Sequence, residues 1–453
     1  MQRYQNYAAE RRNLKKNAVH DPLLMMNNSK AGTLRDPVLV LPGSRDPVAW
    51  ERTADIFAVL IAAALPWSTS LVGIFVVGWL VVFAPTIDLR SFVLTLRRPF
   101  CALPIMLFAL AVVGTLWSEA AWSARVYAIA PTAKLLVLPA LIYHFQRSTR
   151  GAWVFVAFLI SCTVLLGMSW VVAFEPRLTI KPIAEYGVPV KNYIDQSQEF
   201  ALCAVALVYL SVKFLDQRKF LAGALLAILA MSFVINMAFV VVSRTALFTT
   251  PLLLIIFAIL HLKRRGIVVA ICVSATLIGA VWFTSPALRE RADSIISQYD
   301  LYKQSNEATS VGLRLEFWRK SLQFFAEAPL FGHGTGSTRA LFLQAAAGQT
   351  GAAGEVIGNP HNQTLNVAVQ WGALGVVVLY AMWLVHLLLF RGSDLGSSIG
   401  LLVVIQNVMS SLFNSHLFDF HEGWMYVLGV GVAGGMTLKT KLAQGAASVS
   451  VRS

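Results

Sequence analysis

Charge is what this sequence has least of. Asp, Glu, Lys and Arg make up 13% of 453 residues, hydrophobic residues make up 57%, and mean hydropathy is +0.65. A soluble chain covers its surface with about 25% charged residues, so composition alone excludes a soluble globular architecture. Cysteine is scarce as well. Cys101, Cys162, Cys203 and Cys272 all fall in apolar segments without CxxC spacing. They therefore read as small buried hydrophobes, and a disulfide framework or cysteine metal cluster is excluded. The sequence also reads as lacking a cleavable signal peptide, because the first apolar run begins near Ala54 behind a polar, basic leader.

What is abundant is apolar sequence of membrane-spanning length. About 20 apolar residues cross a hydrocarbon core of roughly 30 Å. Such runs predict about twelve helices, near 53–66, 69–85, 100–117, 122–143, 152–174, 198–214, 219–242, 245–261, 267–284, 362–386, 396–413 and 422–438. Pro66-Trp67-Ser68-Thr69 joins the first two, and a single long helix there remains an alternative. The formal charge of +14 does not point to nucleic acid. The basic residues sit in short clusters between apolar runs rather than along one face. With a cytoplasmic N-terminus, the clusters at Arg90/Arg97/Arg98, Arg147/Arg150, Lys213/Arg218/Lys219, Lys263/Arg264/Arg265, Arg391 and Lys439/Lys441 all land inside. The expected organisation is a cytoplasmic leader (1–52), helices one to nine (53–284), a large outer loop (285–361), helices ten to twelve (362–438) and a cytoplasmic tail (439–453).

Within this frame, polar residues gather on the outer face. The stretch 221–262 would be about 63 Å long as one helix, so it folds back, and Ser243-Arg244-Thr245 marks the bend. Arg244 reads either as a snorkelling anchor or as a planar fork that receives a phosphate, with Ser243 and Thr245 adding hydroxyls. In the outer loop, 311–328 has apolar residues at helical spacing around Arg314, Glu316, Arg319 and Lys320. Gly332-His333-Gly334-Thr335-Gly336 then breaks it; no P-loop lysine follows, so the glycines read as a tight turn. His361, in Asn359-Pro360-His361-Asn362-Gln363, is either a structural interfacial histidine or a general base for chemistry near neutral pH. His416, Asp419, His421 and Glu422 match no standard metal spacing and read as hydrogen-bonding support. Lys134, flanked by Pro131 and Pro139, is an intramembrane charge open to a functional or a snorkelling reading, and the parts played by Arg125, Arg177 and Arg289 stay open.

These residues resemble a known family. His361-Asn362, nine residues, then Gly372-Ala373-Leu374-Gly375 is similar to the HN-x9-GxxG signature of bacterial O-antigen ligases. Arg314-Leu-Glu-Phe-Trp318, the glycine run 332–336 and Ser243-Arg244-Thr245 resemble the rest of that family's pattern, whereas the leader resembles nothing in it. The resemblance implies an all-α integral membrane protein of the GT-C type, in the bacterial inner membrane, with one large, partly helical periplasmic loop. It implies metal-independent, inverting glycosyl transfer without a cofactor. The donor would be O-antigen polysaccharide on undecaprenyl pyrophosphate and the acceptor a sugar hydroxyl of lipid A–core. His361 would then be the general base, Arg244 and Arg314 would engage the pyrophosphate, and Asn362, Ser243 and Asp419 would support them. O-antigen polymerases and protein O-oligosaccharyltransferases share a looser version of the motif. A transporter fits the span count, but it has less use for polar residues gathered at one face.

Overall fold

The computed structural model describes residues 47–181, 185–261 and 264–450. Most of the expected leader lies outside the described residues, as do the side chains of Arg244 and Thr245. Before the long loop run α1 (Pro47–Ala64), α2 (Thr69–Phe83), α3 (Leu89–Leu96), α4 (Pro99–Val113), α5 (Trp122–Ala133), α6 (Val137–Phe145), α7 (Gly151–Phe174), α8 (Tyr193–Asp216), α9 (Phe220–Phe239), α10 (Arg244–His261) and α11 (Arg264–Thr284). The loop holds α12 (Pro286–Ser305), α13 (Ser310–Glu327) and α14 (Thr338–Ala345); α15 (Gln363–Leu389), α16 (Leu395–Ser410) and α17 (Phe420–Ser450) follow. Among the described residues there is no strand, only one bridge between Glu185 and Val188. The chain is an all-helical membrane protein.

Each apolar run expected from the sequence coincides with a helix, but the helices differ in what they can cross. Thr69–Thr86, Trp122–Phe145, Gly151–Phe174, Tyr193–Asp216, Phe220–Phe239 and Gln363–Leu389 are long and apolar enough to span a bilayer alone. α1 carries Glu51, Arg52 and Asp55, and α16 is apolar but only 16 residues long. Pro66 and Trp67 separate α1 from α2, and Ser68 caps the second helix by accepting from Leu71 N, so the two are not one long helix. α3 was not anticipated. It begins at the Asp88 cap, carries Arg90, and meets α4 at 78°. α17 runs on past 438, so the tail is helical as far as Ser450. Cys101, Cys162 and Cys203 are buried as expected; Cys272, on α11, is exposed instead.

The basic clusters at Arg147/Arg150 and Lys439/Lys441 come together at one end. Arg147 Nη2 donates to Ser91 Oγ at 2.9 Å, Lys439 Nζ to Arg147 O at 2.9 Å and Lys441 Nζ to Leu389 O at 3.0 Å. The same end holds a buried acid: Asp55 receives Ser148 Oγ at 2.6 Å and His144 Nε2 at 2.9 Å, with Arg150 at 3.6 Å. That clasp ties α1 to the turn between α6 and α7. A carboxylate at 6% exposure is tolerable only with such partners.

The opposite end is organised by a break in α15. Gly372 has φ 59° and ψ −156°, so the helix is interrupted there. The interruption frees two amides and two carbonyls that would otherwise pair four residues apart, and each finds a partner on the glycine loop. Ala373 N donates to Pro329 O (2.8 Å) and Leu374 N to Leu330 O (3.2 Å), while His333 N reaches Val369 O (2.9 Å) and Gly334 N reaches Gln370 O (2.8 Å). The strap lies so close that a Cβ on Gly372 would meet Leu330 C at 2.4 Å, and one on Gly332 would meet Gln370 C at 2.6 Å. Thr335 anchors the far side, donating from N to Gly114 O and from Oγ1 to Ala111 O on α4. The glycines are therefore a backbone clamp on a broken span rather than only a turn.

Gly372→Ala is expected to cost about 2–4 kcal/mol, from a left-handed φ and a backbone clash together. It should lower the melting temperature of the detergent-purified protein and expose the strap to protease. Gly167→Ala, where a Cβ meets nothing within 4 Å, is the control expected to melt like the parent.

Candidate functional site

The site grows from the N-terminal half of α15. Asn362 caps that helix, its Oδ1 accepting from Leu365 N at 3.1 Å while its Nδ2 donates to Leu412 O at 3.1 Å. Asn362, Asn366 and Gln370 then recur every fourth residue and so form a polar stripe on one face. Gln370 Nε2 donates to Asn366 Oδ1 (2.9 Å), Asn366 Nδ2 donates to Ser415 Oγ (3.1 Å), and Ser415 Oγ donates to Asn359 Oδ1 (2.7 Å). Gln370 Oε1 accepts from Gly336 N at 2.9 Å, which ties the stripe to the glycine strap. Gln363 N donates to Ser411 O and Gln363 Oε1 accepts from Leu417 N, so the turn 411–419 is stitched to the same face.

His361 stands at the top of this stripe with φ 52°, a left-handed backbone that a non-glycine residue adopts only when its surroundings hold it there. Its N–H donates to Asn359 Oδ1 at 3.0 Å, and its ring lies 6.1 Å from that of Phe317 on α13. Nδ1 is 2.9 Å from Asn414 Oδ1, and Asn414 Nδ2 in turn donates to Asp419 Oδ2 at 2.7 Å. Nε2 has no hydrogen-bond partner among the described residues. Burial lowers the affinity of the imidazole for a proton; the Asn414 contact raises it in part, and the Arg314 charge adds a smaller lowering effect. His361 is therefore neutral at neutral pH, the state a proton acceptor needs.

Around it the charges are paired in depth. Arg314, half-buried on α13, acts electrostatically on both His361 and His416. Glu316 holds the same helix in place: it accepts from Tyr302 Oη (2.9 Å) and Arg319 Nε (3.0 Å), and the Arg319 contact holds its carboxyl below the usual range. Burial pushes Asp419 up to about 7 in spite of the nearby Lys134 ammonium. Lys134 sits at the break between α5 and α6 and donates to the carbonyls of Phe418 and Asp419. It reaches a protein partner rather than the membrane surface. His421 Nδ1 pairs with Asp195 Oδ2 at 2.6 Å, and His416, at 1% exposure and pushed down to about 4 mainly by burial, lies 3.9 Å from Glu422.

His416, Asp419 and Glu422 bring potential metal-ligand atoms within 4.8 Å of one another. The ammonium of Lys134, whose charge acts on both carboxylates, already supplies a cation to that cluster and would repel a second one. The residues present thus fit a tethered lysine better than a divalent ion.

Of the residues expected in the site, His361, Asn362, Arg314 and Asp419 are brought to one end of the helices. Ser243 caps α10, its Oγ accepting from Ala246 N at 3.4 Å. The side chain of Arg244 lies outside the described residues. Arg125 donates to Ala120 O (2.6 Å) and Thr115 O (2.9 Å) beneath the glycine strap, whereas Arg177 and Arg289 are exposed. Asn414, Asn366 and Gln370 were missed in the sequence. The i, i+4 spacing of amides in an otherwise apolar span was the signal for the last two; Asn414 had none.

Fold and site together define a multi-pass helical membrane protein with a polar, histidine-centred cluster at the end opposite its basic loops. Residues 229–380 match the family model described as O-Antigen ligase, and an O-antigen ligase family domain therefore spans that part of the chain. No curated protein matches the sequence.

Lys134→Met would leave the Phe418 and Asp419 carbonyls and two buried carboxylates without their cation. It is expected to cost about 3–5 kcal/mol of stability, read as an earlier thermal transition in detergent. An unchanged transition would mean that the cluster does not need the ammonium.

Proposed function

We propose that the protein is an O-antigen ligase of the bacterial inner membrane, with twelve spans in a GT-C-like arrangement and its site facing the periplasm. It would transfer O-antigen polysaccharide from undecaprenyl pyrophosphate to a sugar hydroxyl of lipid A–core. The observation that supports this most is His361: a neutral imidazole with an unpartnered Nε2, beside the Arg314 charge, inside the O-antigen ligase domain.

The chemistry asks for little more. The acceptor O–H bond breaks, its proton passes to His361 Nε2, and the oxygen forms the new bond to the anomeric carbon of the donor. The bond from that carbon to the phosphate oxygen breaks on the opposite side, so the configuration inverts, and the pyrophosphate leaves with the electron pair. Positive charge placed where that oxygen gains negative charge lowers the barrier. Arg314 and Arg244 are assigned this part, because a planar guanidinium can grip two phosphate oxygens at once. No nucleotide and no metal enters this scheme.

His361→Ala is expected to abolish transfer between the two lipid substrates by the purified protein while insertion and melting stay normal; full activity would remove the base. Retained activity in EDTA without nucleotide is expected with wild-type protein, and dependence on a divalent ion would overturn the arginine scheme. Because burial and Arg314 depress the proton affinity of His361, the acidic limb of kcat/KM should fall at a pH below 6.5, the ordinary histidine value. Arg314→Lys should impair transfer strongly, since a point charge does not replace the fork.

A further inference from the structure

We infer that Asn414 is a positioning residue that fixes the His361 tautomer, and that the turn 411–419 is held in place for this purpose by Lys134. The inference rests on the proposed role of His361 as base. A neutral imidazole carries one proton on one of two nitrogens, and only the bare nitrogen can accept another. Which nitrogen is bare depends on what the other one meets.

Here the chain of contacts points to one answer. Asp419 Oδ2 lies 2.7 Å from the Asn414 amide, and a carboxylate accepts, so the Asn414 nitrogen faces it. A carboxyl protonated on its other oxygen would still accept at Oδ2, so the contact holds for the carboxylate and for that protonated form. The Asn414 oxygen is thereby turned toward His361 Nδ1, at 2.9 Å. An amide oxygen only accepts, so Nδ1 carries the proton and Nε2 carries the lone pair. Asp419 thus acts on the imidazole through Asn414 and does not touch it.

The far end of the chain is anchored in another part of the fold. Lys134 donates to the carbonyls of Phe418 and Asp419 from the break between α5 and α6, and Asn362 Nδ2 fixes Leu412 O at the start of the same turn. Both ends of 411–419 are pinned, so Asn414 cannot swing away without breaking contacts to buried groups. The charged and titratable groups facing His361 are Arg314 from α13, His416 from the turn, and Asp419 behind Asn414 with Lys134 behind it. None of them bonds the ring directly, which leaves Asn414 as its one described side-chain hydrogen bond.

The test compares Asn414→Leu and Asn414→Asp in the purified enzyme. Leucine fills similar space without an acceptor, so the proton is free to sit on either nitrogen. We expect kcat to fall about 10²–10⁴-fold, with KM for the donor lipid nearly unchanged. Aspartate keeps an oxygen on Nδ1–H and adds charge. It should restore kcat to within about tenfold of wild type at high pH, and it should move the acidic limb of the pH profile upward because a carboxylate favours the imidazolium. Wild-type kcat in Asn414→Leu overturns the inference, as does an Asn414→Asp profile that coincides with that of Asn414→Leu. If Asn414→Leu does not fold, the Asn414→Asp shift decides alone. His361→Ala separates the two levels: activity in that variant defeats the base itself, whereas a dead His361→Ala beside a fully active Asn414→Leu defeats only the tautomer relay.

Discussion

A helix broken inside a membrane must have its freed backbone groups satisfied by protein, because lipid offers no hydrogen bonds. That constraint organises the working end of this molecule. Gly372 interrupts α15, and the two amides and two carbonyls so released are all paired by the strap 329–334. The strap is thereby fixed to α15, and through Thr335 to α4, while the α13 helix that precedes it is brought over His361. The family signature reads differently in this light. Its Gly372 makes the clamp possible, and its histidine and asparagine occupy the helix start that the clamp holds still.

The second organising feature is how charge is managed around the imidazole. The proposed scheme needs a neutral base in a place where a phosphate-bearing donor requires positive charge, and these demands conflict. Burial keeps the ring neutral, and the Arg314 guanidinium assigned to the anion in that scheme adds to the effect by depressing the ring's proton affinity. Behind the ring, Asp419 and Glu422 would push in the opposite direction if left as bare carboxylates. Lys134 offsets them from a span that has no other reason to carry a buried cation.

The sequence carried more of the fold than of the site. Long apolar runs gave each of the six described helices long and apolar enough to cross a bilayer alone, and the apolar spacing of 311–328 gave α13 within a residue at each end. The amphipathic α3 was hidden because Arg90, Arg97 and Arg98 looked like a basic loop. α12 was hidden because charged residues from Arg289 to Lys303 dilute its apolar stripe of Leu288, Ile295 and Tyr299. In the site, His361, Asn362, Arg314 and Asp419 were legible as polar residues of the outer face, and their roles came from the motif resemblance. Asn414 was not, since an asparagine between two spans is ordinary until the fold places it between a histidine and a carboxylate. The Asp55 clasp failed for the same reason: its partners His144 and Ser148 lie about ninety residues away in the chain.

The family match ends at residue 380, and the residues that orient His361 lie on either side of it. Asn414 and Asp419 come from the turn after α16, and Lys134 from the break after α5. The matched segment thus holds the histidine, the strap and the arginine helix, but not the contacts that set the imidazole's proton. In an isolated stretch 229–380, Nδ1 of His361 would face solvent and both tautomers would be populated. The complete site is a property of the packed helices, in which a span far upstream pins a turn far downstream against the one nitrogen that has to stay protonated.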